Sequence, residues 1–381
     1  MQMLHNAPEA ARWLRTHVKG ELRTDSRLVK EGDGFIAWPG AATDGRRYVA
    51  QALAQGAAAC LMEQDGHSPW LAGLQAAQVD SKLACLTGLK AQTGLVADAY
   101  YEHPSQALNV LAVTGTNGKT STAWWLAQAL SSPALQQACG LVGTLGVGQL
   151  PKLSSTGMTT PDPVVLQRQF REFADAGVQH CAIEASSIGL AEHRLAGTRI
   201  KVAVFTNFTQ DHLDFHGDMA SYWAAKAALF DWPSLQAAVI HVDDPKGPVL
   251  QAAWAHRPQD VWTVSADAQR TDPARLQVRA LKAYAAGQSF DLIEHDTHGA
   301  EVGRWRVDCP LLGDYNRVNL LCVLASVRAL GVDMGRAVAM CPSLTAVPGR
   351  LQPVSTGQSA EPLALVDYAH TPDAVEQVLR V

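Results

Sequence analysis

No run of apolar residues in this 381-residue chain approaches the roughly 18 to 20 that a membrane span needs. Met1 to Arg15 mixes charge and histidine where a secretory leader requires an apolar stretch. A cytoplasmic protein without membrane contact is expected. Paired cysteines are also missing: the seven, at 60, 85, 139, 181, 309, 322 and 341, contain no CxxC. They read as reduced core thiols, not a zinc site or a disulfide framework. An excess of one charge is missing too, with Lys+Arg 31 against Asp+Glu 36 and a net charge of -5. That excludes a basic nucleic-acid footprint, so an anionic ligand must be held by local groups. Internal repeats are not evident. What remains is 47% hydrophobic residues over a length sufficient for two or three compact domains.

The first hundred residues alternate short apolar runs with small-residue helical stretches (Gly34 to Trp38, Tyr48 to Gln55, Ala57 to Glu63, Leu83 to Tyr101), which suits a small α/β domain. The Pro-containing polar break at 101–107 closes it, and a domain of residues 1–105 is expected. Buried-strand candidates follow at Asn109 to Thr114, His180 to Glu184, Val202 to Thr206 and Ala237 to Val242, separated by helical stretches. Strands alternating with helices predict a doubly wound, mainly parallel sheet over 106–346. Ser289 to Glu294 and Glu301 to Val307 are expected to add antiparallel strands at one side, and Asn316 to Leu330 reads as a helix. After Pro342 and Pro348-Gly349, residues 347–381 hold one strand and one helix, too little for a core of their own. They are expected to be the first βα unit of a third domain.

The most informative stretch is Val113-Thr-Gly-Thr-Asn-Gly-Lys-Thr-Ser121, set between a predicted strand and a helix. Gly115 and Gly118 let the backbone N–H groups of Thr116, Asn117 and their neighbours close around phosphate oxygens. The helix N-terminus adds its positive end, Lys119 reaches the terminal phosphates, and the Thr120 hydroxyl suits Mg²⁺. Ser121 completes an ATP or GTP site. Val113 stands where the standard loop has its first glycine, so the loop is a shortened variant. By itself it does not separate a kinase from a ligase or an ATPase.

Other groups collect after neighbouring strands. Glu184 ends one strand candidate and would project at the carboxyl edge of the sheet, where doubly wound sheets bind ligands. Thr206 to His216 concentrates Asp211, His212, Asp214 and His216, groups that bind divalent metals or flank phosphates. Each alone reads equally as a surface or capping residue; together, beside a phosphate loop, they read as a site. Lys226, the single charge in the apolar stretch Tyr222 to Phe230, is either a snorkelling lysine or a modified or paired one. Arg194 and Arg350 are candidate phosphate clamps or surface arginines.

Eight ordered segments, TGTNGKT, MTTPDP, EASSIGLAEHR, TNFTQDHLDFHG, YWAAKAALF, GDYNRVN, VPGRLQ and DYAHTPD, together with TDSR at 24–27 and DGRRY at 44–48, carry a family likeness. The chain resembles the Mur ligases. That resemblance implies an ATP-dependent amide ligase of peptidoglycan synthesis, adding a third amino acid, diaminopimelate or lysine with meso-diaminopimelate expected, to UDP-MurNAc-L-Ala-D-Glu through an acyl phosphate. It implies two Mg²⁺ ions, one held with help from Thr120 and Glu184 and the other by His212, and a carbamate on Lys226. It places Asn316 and Asn319 on the adenine side, Arg350 at a phosphate and Asp367 at the ribose. Ser26, Ala41, Ala42 and Thr43 fall at the uridine pocket, and Thr159, Thr160, Ser186, Glu192 and Arg194 along the nucleotide sugar and peptide. A monomer is expected.

Departures from the family pattern are Glu192 where glutamine is usual, Ile188 where histidine is usual, and an end at Val381 before most of the third domain. The last leads to the expectation that these 381 residues alone bind the UDP-substrate with little or no ligase turnover. Competing readings are a folylpolyglutamate-synthase-type ligase, which should lack the TDSR and DGRRY segments, a non-catalytic nucleotide-binding remnant, and a phosphate-loop kinase or NTPase.

Overall fold

A computed structural model describes residues 1–40, 43–71, 74, 81–284, 286–354 and 364–381. The chain forms two compact units that are not continuous in sequence. One comprises Met1–Leu108, Pro161–Ala176 and Gly189–Arg199, the other Asn109–Thr160, Gly177–Ile188 and Ile200–Val381.

The first unit is built on five strands, β1 (Gln2–Leu4), β2 (Leu22–Arg23), β3 (Gly34–Ala37), β4 (Ala59–Glu63) and β5 (Leu83–Leu86). All pair in parallel in the order β1-β5-β4-β3-β2. Parallel strands are covered on both faces, which is why β4 and β5 are buried at every position. Leu14, Leu61, Leu86 and Val96 pack on one side of this sheet, and Phe35, Val49, Met62 and Cys85 on the other. The helix Pro163–Asp175 joins this unit; Asp162 caps it by accepting from the amides of Val164 and Val165. Its Arg168 pairs with Glu21.

The second unit holds an eleven-stranded mixed sheet. In chain order its strands are β6 (Asn109–Thr114), β7 (Cys139–Gly143), β8 (Gly146–Gln149), β9 (Lys152–Ser154), β10 (His180–Glu184), β11 (Ile200–Phe205), β12 (Ala237–His241), β13 (Asp260–Ser265), β14 (Leu276–Tyr284), β15 (Gly287–His295) and β16 (Glu301–Cys309). The spatial order is β16-β15-β14-β13-β12-β11-β6-β10-β7-β8-β9, parallel from β14 through β7 and antiparallel at both ends. The mainly parallel sheet and the antiparallel strands at 287–309 match the sequence expectation. The strands β7 to β9 are an addition to the sequence expectation.

Helices Lys119–Ser131 and Asp314–Ala329 meet on one face of the sheet, burying Trp125, Leu126, Leu320 and Val323. A separate antiparallel pair, β17 (Gln352–Val354) and β18 (Ala364–Val366), precedes the helix Pro372–Leu379. All seven cysteines are free and buried, and burial pushes the Cys60, Cys139 and Cys322 thiols up to about 12, so they are inert core residues. Among the described residues no helix is long and apolar enough to cross a membrane.

Candidate nucleotide-phosphate site

Strand order sets the site. β6 lies between β10 and β11, so the chain leaves β6 at a point where successive connections diverge to opposite sides. Such a switch point opens a crevice at the carboxyl ends of the strands. Three polar segments emerge there from adjacent strands: the phosphate loop after β6, Glu184 at the end of β10, and Thr206 to His212 after β11.

The loop is held by its neighbours. Gly115 has φ +150, and a Cβ there would lie 1.9 Å from Thr206 Oγ1; Gly118 has φ +84, and its Cβ would lie 2.3 Å from Asn319 Oδ1. Both positions need glycine on conformation and on space. The amides of Thr116 and Asn117 donate to the Asn207 carbonyl and Oδ1 at 2.9 and 2.8 Å. Thr206 Oγ1 donates to the Asn117 carbonyl at 2.6 Å. Gly115→Ala is therefore expected to weaken ADP binding at least about tenfold and to cost about 2 kcal/mol of stability. Calorimetric titration and thermal melting check both; unchanged ADP affinity would contradict this account of the loop.

Lys119 begins the helix and donates its ammonium to the carbonyls of Gly115 and Thr116 at 2.9 and 2.8 Å. Thr120 Oγ1 donates to Glu184 Oε2 at 2.9 Å, and Glu184 Oε1 accepts from the Thr144 amide at 2.7 Å. Gly143 leaves the room for that carboxylate, since a Cβ there would sit 2.2 Å from Glu184 Oε1. Burial raises the Glu184 carboxyl above its ordinary range, opposed by the Thr144 amide and the Lys119 charge. Burial lowers the Lys119 ammonium, opposed by Glu184 and Asp211. Burial thus works against the charge on both groups, and each charge partly offsets that for the other.

Lys226 is 1% exposed and donates to the same Gly115 carbonyl at 2.7 Å, its ammonium 4.4 Å from the Tyr222 ring centroid. It does not snorkel. Burial, and then the nearby Lys119 charge, hold it well below its ordinary value, with Asp211 opposing. His212 adopts φ +51 after the Asp211 side chain, with Nε2 3.5 Å from Asp211 Oδ2, and burial lowers its imidazole. His216 turns to the Tyr222 ring at 5.2 Å, and Asp214 is exposed.

Asn316 donates to the Leu312 carbonyl and accepts from Asn319, which sets Asn319 against Gly118. Trp125, Leu311, Leu312, Asn316, Arg350 and Leu351 line a small cavity beside the loop helix. Arg350 stacks over Tyr368 at 4.8 Å, and Asp367 Oδ2 accepts from the Leu351 amide at 2.8 Å. Ser121 is buried in the helix's first turn. Thr159 and Thr144 hydroxyls meet at 3.0 Å, while buried Thr160 donates to the Glu184 carbonyl and meets Ser186 Oγ at 3.0 Å. In the first unit, Ser26 is buried in a short turn behind Asp25, Thr43 is exposed, and Arg194 follows Glu192. Glu192 pairs with Lys90 at 2.6 Å, so the charge that replaces the usual glutamine is neutralised locally. Ala41 and Ala42 lie outside the described residues.

Among the described residues no group of three or more His, Cys, Asp or Glu side chains could hold a metal ion. The donors present, Thr120, Glu184 and His212, fit Mg²⁺ carried in by phosphate, because Mg²⁺ uses one or two protein groups with phosphate and water for the rest. Sequence reasoning missed Thr144, Thr206, Asn207 and the Asp243-Asp244 pair after β12. The signal was present in that β6, β10, β12 and β13 end in polar residues and β11 is followed at once by Thr206 and Asn207.

Residues 113–327 match the model of the Mur ligase middle domain, and residues 20–92 that of the Mur ligase family catalytic domain. The chain belongs to the Mur ligase family. It is 54% identical over 386 residues to the UDP-N-acetylmuramoyl-L-alanyl-D-glutamate--2,6-diaminopimelate ligase of Acidovorax sp. (strain JS42), covering 100% of this chain and 73% of that relative. The ligase of the same name from Janthinobacterium sp. (strain Marseille) is 42% identical, covering 96% of this chain and 71% of its own length. A solved structure of a ligase of that name superposes with TM-score 0.74 at 34% identity, over 94% of this chain and 69% of that one. As a Mur ligase domain, the second unit is the nucleotide-binding part of an ATP-dependent ligase fold.

Proposed function

We propose that the protein carrying this chain is the ATP-dependent ligase that joins diaminopimelate to the D-Glu γ-carboxylate of UDP-MurNAc-L-Ala-D-Glu. The observation that carries this reading is identity of 54% across the whole chain with a relative named for that reaction. The residues support it. A γ-carboxylate oxygen attacks the terminal phosphorus of ATP, forming an acyl phosphate as the bond to the ADP oxygen breaks. The amine nitrogen then forms the amide bond, phosphate leaves with the former carboxylate oxygen, and the amine gives up a proton.

Both reactants are anionic, so the chain must supply positive charge where charge builds. Lys119 and the amides of Gly118 to Thr120 would face the β- and γ-phosphates, since those of Thr116 and Asn117 are taken by Asn207, and Arg350 would add a guanidinium. Thr120 and Glu184 would hold one Mg²⁺ and His212 a second; when bound, the ions neutralise phosphate oxygens. Asn316, Asn319 and the Trp125 cavity would take adenine, and Asp367 the ribose. In the first unit Ser26, Ala41 to Thr43, Glu192 and Arg194, and in the second unit Thr159, Thr160 and Ser186, would each contact the UDP-substrate, and buried Thr160 also holds the Glu184 strand end.

Lys226 is the group whose setting calls for chemistry beyond an ammonium. Low solvation favours its neutral amine, which attacks CO₂ at carbon to give a carbamate and releases a proton. The product is an anion beside Lys119. A ¹³C carbamate resonance after equilibration with ¹³C-bicarbonate, absent from Lys226→Met, is the expected result. We read the protein as a cytoplasmic monomer.

The test of the overall reading is ADP release by the protein carrying this chain. Release that requires both UDP-MurNAc-L-Ala-D-Glu and diaminopimelate supports it. Release with another acceptor acid, such as a folate, or without any acceptor overturns it.

A further inference from the structure

We propose that Asp244 and Lys246, in the turn after β12, are positioning residues for the phosphate loop. The loop is one glycine short of the standard form and leans on the segment Thr206 to Thr209, which makes up its floor through the bonds described above and through Thr116 Oγ1, which donates to the Thr209 carbonyl at 3.0 Å. A floor positions a loop only if it is fixed from behind. The fixing comes from β12, the next strand in the sheet.

Two bonds hold the far side of the segment. His241 Nδ1 lies 2.7 Å from the Thr206 carbonyl, and the Phe208 amide donates to Asp244 Oδ2 at 2.8 Å. Asp244 is 8% exposed, and its other oxygen accepts from the Lys246 amide at 2.8 Å. Closing its own turn needs only that second bond. Its first oxygen is spent on an amide 36 residues earlier, on the floor of the phosphate loop.

Lys246 closes the clamp from the side. Its ammonium lies 5.7 Å from the Phe208 ring and 5.0 Å from the Trp223 ring. Phe208 also packs on Tyr222 at 5.1 Å, and the Tyr222 hydroxyl meets Thr116 Oγ1 at 3.1 Å. The path Asp244, Phe208, Tyr222, Thr116 therefore returns to the loop, so a shift of Phe208 moves Thr116 and Asn117 together. No step of the reaction passes through Asp244; it acts on where Thr116 and Asn117 sit, and through them on the amides of Gly118 to Thr120 that follow in the loop.

The inference rests on the reading that the loop amides following Asn117, those of Gly118 to Thr120, hold nucleotide phosphate. The decisive variant is Asp244→Asn, which keeps the shape but offers one acceptor oxygen to two amide donors. Losing one buried bond at the floor is expected to raise the Mg²⁺·ADP dissociation constant about tenfold by calorimetry. Hydrogen exchange of the Thr116, Asn117 and Phe208 amides should speed up in parallel, while the KM for UDP-MurNAc-L-Ala-D-Glu stays within about twofold. A lower melting temperature with unchanged ADP affinity would mean a purely structural turn and would overturn the proposal. If Asp244→Asn fails to fold, Lys246→Met retains the backbone amide and removes only the cation; about a threefold loss of ADP affinity is expected, and no loss overturns the proposal. Native protein that binds ADP without amine-dependent turnover would refute the ligase reading while the affinity comparison still decides the clamp.

Discussion

Replacing Lys119 by methionine is expected to lower amine-dependent ADP release by about three orders of magnitude while leaving the fold intact. The ammonium's hydrogen bonds go to the loop's own carbonyls of Gly115 and Thr116, not to a side chain of the packed core. Its charge is the only one in the first turn of the loop helix, at the end where the β- and γ-phosphates would lie. Transfer of a phosphoryl group between two anions loses its main source of fixed positive charge without it. Melting temperature within a few degrees of native, with turnover nearly abolished, is the expected pattern. Turnover within about tenfold of native would mean that Lys119 does not face the transferred phosphate.

The second large effect carries opposite signs on activity and stability. Lys226→Met is expected to reduce turnover about a hundredfold and to raise the melting temperature. In the fold the Lys226 ammonium is 1% exposed, has the Gly115 carbonyl at 2.7 Å and the Tyr222 face as partners, and lies near another lysine. Taking this amine out of water opposes folding, and methionine fills similar volume without that cost. Parallel kinetics and differential scanning calorimetry separate the two readings. If both activity and stability fall, Lys226 is a structural donor to the loop and its proposed modification has no role.

The phosphate loop was legible because three local signals coincide there: an apolar β-type run, glycines at Gly115 and Gly118, and a lysine opening a helix. Strands β6 and β10 were read to the residue because parallel central strands are continuous apolar runs with polar ends. The hairpin from β7 to β9 was not legible. Gly140, Gly143, Gly146 and Gly148 suggest loop, yet Gly146 and Gly148 have φ +128 and +144, where a Cβ would meet the carbonyls of Ser154 and Lys152 within 2.7 and 2.4 Å. Those glycines permit close strand approach, not flexibility. The consequence reaches the site, because Thr144 in that hairpin's turn orients Glu184. Lys226 was legible as an oddity but not as a partner of Gly115, since 111 residues separate them. The Glu192–Lys90 pair was hidden for the same reason: a local pattern names the charge and not what neutralises it. An amphipathic stripe such as that of Pro163–Asp175 marks a helix that packs, but not the unit it packs in, which here is the first.

The acyl phosphate is the centre of the account, and isotope transfer tests it most directly. UDP-MurNAc-L-Ala-D-Glu labelled with ¹⁸O in the γ-carboxylate is turned over with ATP and diaminopimelate by the protein carrying this chain, and the released phosphate is analysed by mass spectrometry. The account predicts one ¹⁸O atom in each phosphate, because the carboxylate oxygen leaves with the transferred phosphoryl group. Phosphate without label, formed at the same rate as ADP, would contradict it and mean that water, not the substrate carboxylate, accepts the phosphoryl group.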